Sequence, residues 1–299
     1  MRVIKPFDPW QGKWCSCPPK YTLNPYTGCA HRCLYCYTTS FIPRAFEVRE
    51  KPDILKKIEK DLEEIDPSRY LSLSNSSDPY PPEEEKRKLT REILKLCQKK
   101  GVPVLILTKS TLVTRDIDIL KAMKIAVSIT ITTFNPHIAS LLEEGAPSPL
   151  ERARALIKLH EAGIPTILRI DPLIPETNDK AEDWEEILSL LSPYINQVVV
   201  STFKPRLDSW KRITTTFPSL QKTKDWYVRK RGNNFYLEDS QRIKLLEKAR
   251  ATVHSFSLPF SSCREGIPAW NDVPCDGSGF IKNQSIKSIS LNRETSLEE

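Results

Sequence analysis

No run of about 18 or more apolar residues occurs in the chain, so no membrane-spanning helix is expected. The opening MRVIKPFDPW lacks the apolar core of a secretory signal, which makes the cytoplasm the expected location. There is no internal repeat and no low-complexity run, which excludes a repeat array. Methionine is scarce, at two residues, beside 24 prolines and many Lys, Glu and Ile, a balance compatible with a thermophilic source. Of the four histidines, His137, His160 and His254 show no ligand spacing and read as structural or surface residues. The eight cysteines do not follow the paired pattern of a small secreted domain, so they read as metal ligands rather than disulfides.

What is present begins with residues 24–37, NPYTGCAHRCLYCY, which place Cys29, Cys33 and Cys36 in a C-x3-C-x2-C spacing. Three thiolates this close can converge on one soft centre: an iron–sulfur cluster, zinc or Cu(I). A closed zinc site would need a fourth ligand, for which His31 is the nearby candidate. Gly28 beside Cys29 would let backbone amides approach cluster sulfurs.

The 299 residues suffice for one large α/β barrel-type domain or two ordinary ones, and 39% hydrophobic content can fill a core. Residues 1–20 form an arm without helical or strand period. Strands are predicted at 21–24, 70–74, 102–107, 126–132, 165–170 and 197–202. Helices are predicted at 52–65, 84–99, 115–123, 147–162 and 179–191, from apolar stripes and from Gly101 and Gly163 as stops. This alternation over residues 21–203 gives an α/β fold: a parallel, six-stranded partial βα barrel, short of the eight strands of a closed one. The cysteine loop, SNSSDPY, TKS and IDPLIPETND all follow strands, so they gather at one mouth. Residues 204–299 form a C-terminal extension, with a helix at 239–253, a short strand near 255–260 and a polar tail frayed after about residue 281.

The cysteine spacing, its NPYTGC flank, the DPYxPxE segment in residues 74–84, Thr108-Lys109-Ser110 and RIDPLIP together resemble the radical S-adenosylmethionine (SAM) superfamily, and within it the spore photoproduct lyase-like branch. The resemblance covers residues 15–203 well and the C-terminal cysteine region loosely. It implies a partial (TIM-like) barrel of the radical SAM type. It implies a [4Fe-4S] cluster on Cys29, Cys33 and Cys36, whose open iron takes SAM. Tyr35 matches the aromatic position near the SAM adenine, and Tyr37 a tyrosine typical of the branch. Both are the catalytic candidates, because tyrosines are implicated in hydrogen-atom relay in the lyase. Cofactor contacts are expected from Tyr35, Ser76, Ser77, Asp78, Lys109, Ser128, Arg152 and Arg169, with Asp171 beside Arg169 at the strand end. Each has a structural reading too: core packing for the tyrosines, a turn and helix cap for residues 76–78, and ion pairs for Lys109, Arg152, Arg169 and Asp171. One departure matters: residues 71–82 contain no cysteine, where the lyase's hydrogen-donating cysteine is expected.

Cys97 reads as a small core residue. Cys15, Cys17, Cys263 and Cys275 lie in two polar, Pro/Gly-rich pairs outside the barrel. Together they would close a four-thiolate site holding an auxiliary iron–sulfur cluster or a zinc. Residues 204–231 hold nine basic and two acidic residues, an excess of seven that equals the +7 net charge of the chain. Trp210, Phe217, Trp226 and Tyr227 are interleaved. Phosphate contacts and stacking faces of this kind suit DNA or RNA as substrate. The expected activity is a radical SAM reaction in a monomer served by a one-electron reductant such as ferredoxin or flavodoxin. The alternatives are a radical SAM modifier of a peptide or small metabolite using an auxiliary cluster, and a nucleic-acid-binding module with structural metal only.

Overall fold

A computed structural model describes residues 2–7 and 14–283. The polar tail falls almost wholly outside them. One sheet of eight strands organises the chain: β1 (Lys5–Phe7), β2 (Lys20–Leu23), β3 (Leu71–Leu73), β4 (Val104–Thr108), β5 (Ile125–Thr130), β6 (Thr166–Leu173), β7 (Gln197–Thr202) and β8 (Phe260–Ser262). They lie side by side in sequence order. All neighbours are parallel except β1 and β2. β2 to β7 are the six strands expected from the sequence. The margins differ from expectation. The arm supplies β1, and the extension supplies β8, so the boundary placed at residue 203 falls within one continuous sheet. At three residues β1 leaves too short a period to read.

The two faces of the sheet separate by alternation. Ile106, Val127, Ile129, Leu168, Ile170, Val198 and Val200 belong to the core under the helices. Leu105, Ala126, Ile167 and Val199 face the lumen, where Tyr70 and Ile281 fill the lower end. Seven helices matter here: α1 (Ile54–Glu64), α2 (Leu89–Lys99), α3 (Pro136–Leu142), α4 (Pro149–Glu161), α5 (Ala181–Leu191), α6 (Leu207–Thr216) and α7 (Asp239–Ser255). Cys97 on α2 is fully buried in the outer core. α3 is absent from the sequence reading; Asn135 starts it by accepting from the His137 and Ile138 amides. The helix expected at 115–123 is a 3-10 turn, Thr111–Asp116, running into Ile117–Leu120. No helix among the described residues is long and apolar enough to cross a membrane.

The helix expected over 84–99 is broken at Lys88, which has φ 53°. The cause is Glu84. Its fully buried carboxylate accepts from the Thr90 amide (2.9 Å) and the Arg91 amide (3.3 Å), capping α2 from outside. It also accepts from the Tyr26 hydroxyl and from Arg115 Nη2 at 2.7 Å. Tyr26 leads into the cysteine loop, so this acid ties α2 to that loop. Glu84→Ala is expected to cost about 2–4 kcal/mol in urea unfolding, from a lost cap near 1 kcal/mol and unsatisfied buried donors near 1–3. A loss below about 0.5 kcal/mol would show that the cap is not formed.

Candidate active site

Because β2 to β8 are parallel, their C-terminal ends share one edge, and the loops beyond them meet there. The cysteine loop leaves β2 and is held by backbone contacts. The Cys29 amide donates to the Ala45 carbonyl (2.8 Å), Leu34 to Leu142 (2.9 Å), and Gly145 to His31 (3.1 Å). Arg212 on α6 donates to the carbonyls of Leu34 (3.3 Å) and Cys36 (2.8 Å). Gly28 has φ +81°, and a Cβ there would lie 2.0 Å from the Glu47 carbonyl oxygen. Gly145 is equally tight: its Cβ would sit 2.1 Å from the Ala30 carbonyl oxygen. Both glycines serve close backbone approach within the protein.

Burial pushes the Cys29 thiol up to about 12 and Cys33 higher still, with Lys109 opposing at Cys33. Cys36 Sγ lies 3.0 Å from the Thr38 hydroxyl. Among the described residues no three His, Cys, Asp or Glu side chains are gathered tightly enough to hold a single ion. His31 does not complete a zinc loop. Its Nε2 faces Asp78 at 3.0 Å and its Nδ1 the Gly145 carbonyl at 3.1 Å.

Behind the loop the buried pair Glu143 and Arg152 meets the half-buried Tyr35 and Lys109. The Tyr35 hydroxyl donates to Glu143 Oε1, and Arg152 Nη2 pairs with Glu143 Oε2 at 2.6 Å. Arg152 Nη1 donates to the Thr130 carbonyl (2.8 Å), and Lys109 Nζ sits 5.4 Å from the Tyr35 ring centre. Burial opposes ionisation of Glu143, but Arg152 and Lys109 outweigh it and hold the carboxyl below its usual range. Glu143 was invisible to sequence reasoning: it follows an unread helix and belongs to no motif.

The other expected cofactor contacts divide. Asp78 is fully engaged, accepting from Thr108 Oγ1 (2.7 Å), the Lys109 amide (2.8 Å) and the Tyr80 amide (2.9 Å) beside His31. Ser77 Oγ donates to the Tyr26 carbonyl, and the Ser76 amide to Asn24 Oδ1. These contacts shape the loop. Arg169 pairs with Asp171 at 2.5 Å toward the C-terminal end of β6. Ser128, by contrast, is buried with no hydrogen-bond partner for its hydroxyl, as are Ser74 and Thr132. Ser128 and Thr132 share the lumen parity of Ala126, toward the mouth. The Tyr37 hydroxyl donates to the Asn75 carbonyl, and burial pushes its phenol up to about 12.

A family model described as the radical SAM superfamily matches residues 23–191. The chain belongs to the radical SAM superfamily. An uncharacterized protein of Methanocaldococcus jannaschii is 36% identical over 188 residues, which cover 59% of this chain and 68% of that protein. An uncharacterized protein of Mycobacterium bovis is 25% identical over 189 residues, covering 58% and 56%. The fold is similar to spore photoproduct lyase complexed with dinucleoside spore photoproduct (TM-score 0.63, 17% identity, 82% of this chain and 76% of that one). It is also similar to Streptococcus suis SuiB bound to S-adenosylmethionine (TM-score 0.56, 15% identity, 81% and 49%).

Membership makes this a radical SAM enzyme, and it implies a [4Fe-4S] cluster and SAM. The residues present fit both. The loop offers three soft donors with no competing fourth ligand, as a cluster with one open iron requires. The orphaned hydroxyls of Ser74, Ser128 and Thr132 are costly unless a polar ligand meets them. Gly28→Ala should displace the loop from Glu47 and lower iron and sulfide per reconstituted chain several-fold. Wild-type content in that variant would show that the loop tolerates the shift.

Proposed function

We propose that this radical SAM enzyme abstracts a hydrogen atom from a nucleic acid held across the barrel mouth. When bound, the cluster and SAM supply a 5′-deoxyadenosyl radical by one-electron cleavage of a C–S bond, the electron coming from a reductant such as ferredoxin or flavodoxin. The protein's part is positioning. Cys29, Cys33 and Cys36 would hold the cluster. Tyr35, fixed by Glu143, offers a ring face for the adenine. Lys109 and Arg152 would face the SAM carboxylate, and Ser128 its carboxylate or ribose. Tyr37 keeps its proton at neutral pH and would donate a hydrogen atom back to a substrate radical.

The observation that carries the substrate class is the exposed basic ribbon joined to the cysteine loop. Arg229–Arg231 pairs with Asn234–Tyr236, and all three basic side chains are exposed, Arg229 also pairing with Asp239 at 2.6 Å and Arg231 lying 3.9 Å from the centre of the Trp14 ring. Asn234 Oδ1 accepts from Arg206 Nε at 2.9 Å, and Arg206 in turn lies 5.2 Å from the centre of the Phe41 ring, just after the cysteine loop. Phe41 is 51% exposed, as are nearby apolar side chains of Leu207 (77%) and Val228 (61%). Charge for phosphates and an open ring for a base therefore sit together.

The aromatics expected to stack are differently placed. Tyr227 is buried in a second core with Phe203, Ile213, Leu220 and Leu237, and Trp210, Phe217 and Trp226 pack against it. They fold the extension onto the barrel. Three of its basic residues also turn inward: Lys204 to Glu265, Arg206 to Asn234, and Arg212 to the cysteine loop. Lys211, Lys222, Lys224, Arg229, Lys230 and Arg231 remain exposed.

The similar lyase structure holds a dinucleoside lesion, whereas a SuiB structure of like fold is bound to its precursor peptide SuiA. The loop after β3 holds no cysteine where the lyase's hydrogen donor is expected, which argues against thymine-dimer reversal by that route. Reduced, reconstituted protein is expected to form 5′-deoxyadenosine from SAM, and Cys33→Ala to form none. Single-stranded RNA or DNA should bind with strong salt dependence. Replacing Arg229, Lys230 and Arg231 by Ala should lower the slope of log K against log salt by about two, since each lost phosphate contact is worth about 0.7. Absence of binding at low salt would overturn the nucleic-acid assignment in favour of a peptide or small metabolite.

A further inference from the structure

Four thiols meet where the open sheet has its two margins. Cys15 and Cys17 lie in the irregular segment just before β2, at the β1–β2 margin. Cys263 follows β8, the opposite margin, and its amide donates to the Val200 carbonyl at 2.9 Å. Cys275 lies in the turn-rich segment beyond. Cys17 Sγ stands 3.9 Å from Cys275 Sγ. Cys15 neighbours Cys17, and Cys275 neighbours Cys263, so the sulfurs form a chain of neighbours across the gap. No other part of the described chain brings sulfurs from both ends together.

The 3.9 Å separation fits two sulfurs on one metal ion and is too short for two cysteines of a cubane. A tetrahedral ion with bonds near 2.3 Å sets its sulfurs about 3.8 Å apart. A cubane spreads its cysteines over separate irons and holds them farther apart. The surroundings also suit concentrated negative charge. The buried ammonium of Lys20 lies beside Cys17 and Cys275 while pairing with Asp276 at 2.7 Å. The buried Arg169 guanidinium neighbours Cys263 from the lumen side. Donors of this kind stabilise metal-bound thiolates. Among the described residues the four sulfurs do not surround one point. Cys15 and Cys263 both lie outside regular strands and helices, in segments that a bound ion can draw inward.

From this geometry we propose that Cys15, Cys17, Cys263 and Cys275 bind one structural zinc ion, which staples the two margins of the partial barrel. The staple fastens the N-terminal arm to the segment that carries Ile281 into the lumen. It is separate from the cluster loop and takes no part in SAM cleavage.

The test is metal and labile-sulfide analysis of full-length protein purified without added iron, in wild type and in a variant with Cys29, Cys33 and Cys36 all changed to Ser. One zinc per chain is expected in both, with no iron or sulfide in the variant. X-ray absorption at the zinc edge should show four sulfurs near 2.3 Å. Cys17→Ser and Cys275→Ser should each lose most of the zinc, while Cys97→Ser keeps it. Should the single variants fail to fold, the triple variant still decides. Iron with equimolar sulfide in it would mean a second cluster, and a metal-free protein with reduced or disulfide-bonded cysteines would mean no metal site. Either result overturns the proposal. Neither touches the assignment of the cluster loop, which 5′-deoxyadenosine formation tests separately.

Discussion

A loop that must present three thiols in one geometry cannot hold itself rigid. Residues 29–36 contain no regular helix or strand, so their backbone groups need partners elsewhere. Those partners come from three directions: Ala45 from the following turn, Leu142 and Gly145 from the α3–α4 connection, and Arg212 from the extension. The extension therefore helps to hold this loop. Its Arg212 guanidinium reaches the Cys36 carbonyl, which couples the extension to the cysteine loop.

Charge at the mouth is arranged with the same economy. Glu143 neutralises Arg152 and Lys109 and accepts from Tyr35, while Asp78 is matched by His31 and three donors. Buried charges are tolerable only when paired and hydrogen-bonded. Once these are satisfied, the buried polar atoms left without partners include Ser74, Ser128 and Thr132, toward the mouth, where a polar cofactor belongs. Asp78, read from the sequence as a cofactor contact, also accepts from the Thr108 hydroxyl and the Lys109 amide and so helps to fix Lys109.

Much of this was legible beforehand. The six parallel strands follow from apolar runs punctuated by glycine and proline, and the mouth follows from their direction. The misreadings share a cause. β1 is too short to show a period, and β8, expected near 255–260, lies at Phe260–Ser262 and joins the main sheet. The split at Lys88 arises because Glu84 caps α2 through its side chain, which no helical pattern encodes. Trp226 and Tyr227 look like stacking residues beside lysines, yet they are spent on a second core.

The sequence alone determined the metal-binding chemistry of the cysteine loop and the order of the βα units, because both depend on neighbours a few residues apart. Only the tertiary structure decided which side chains serve that loop. Glu143 meets Tyr35 across 108 residues, Arg212 reaches Cys36 across 176, and Cys17 meets Cys275 across 258. Contacts at such separations are set by strand order and by how the two margins of an open sheet face each other, which spacing along the chain does not record.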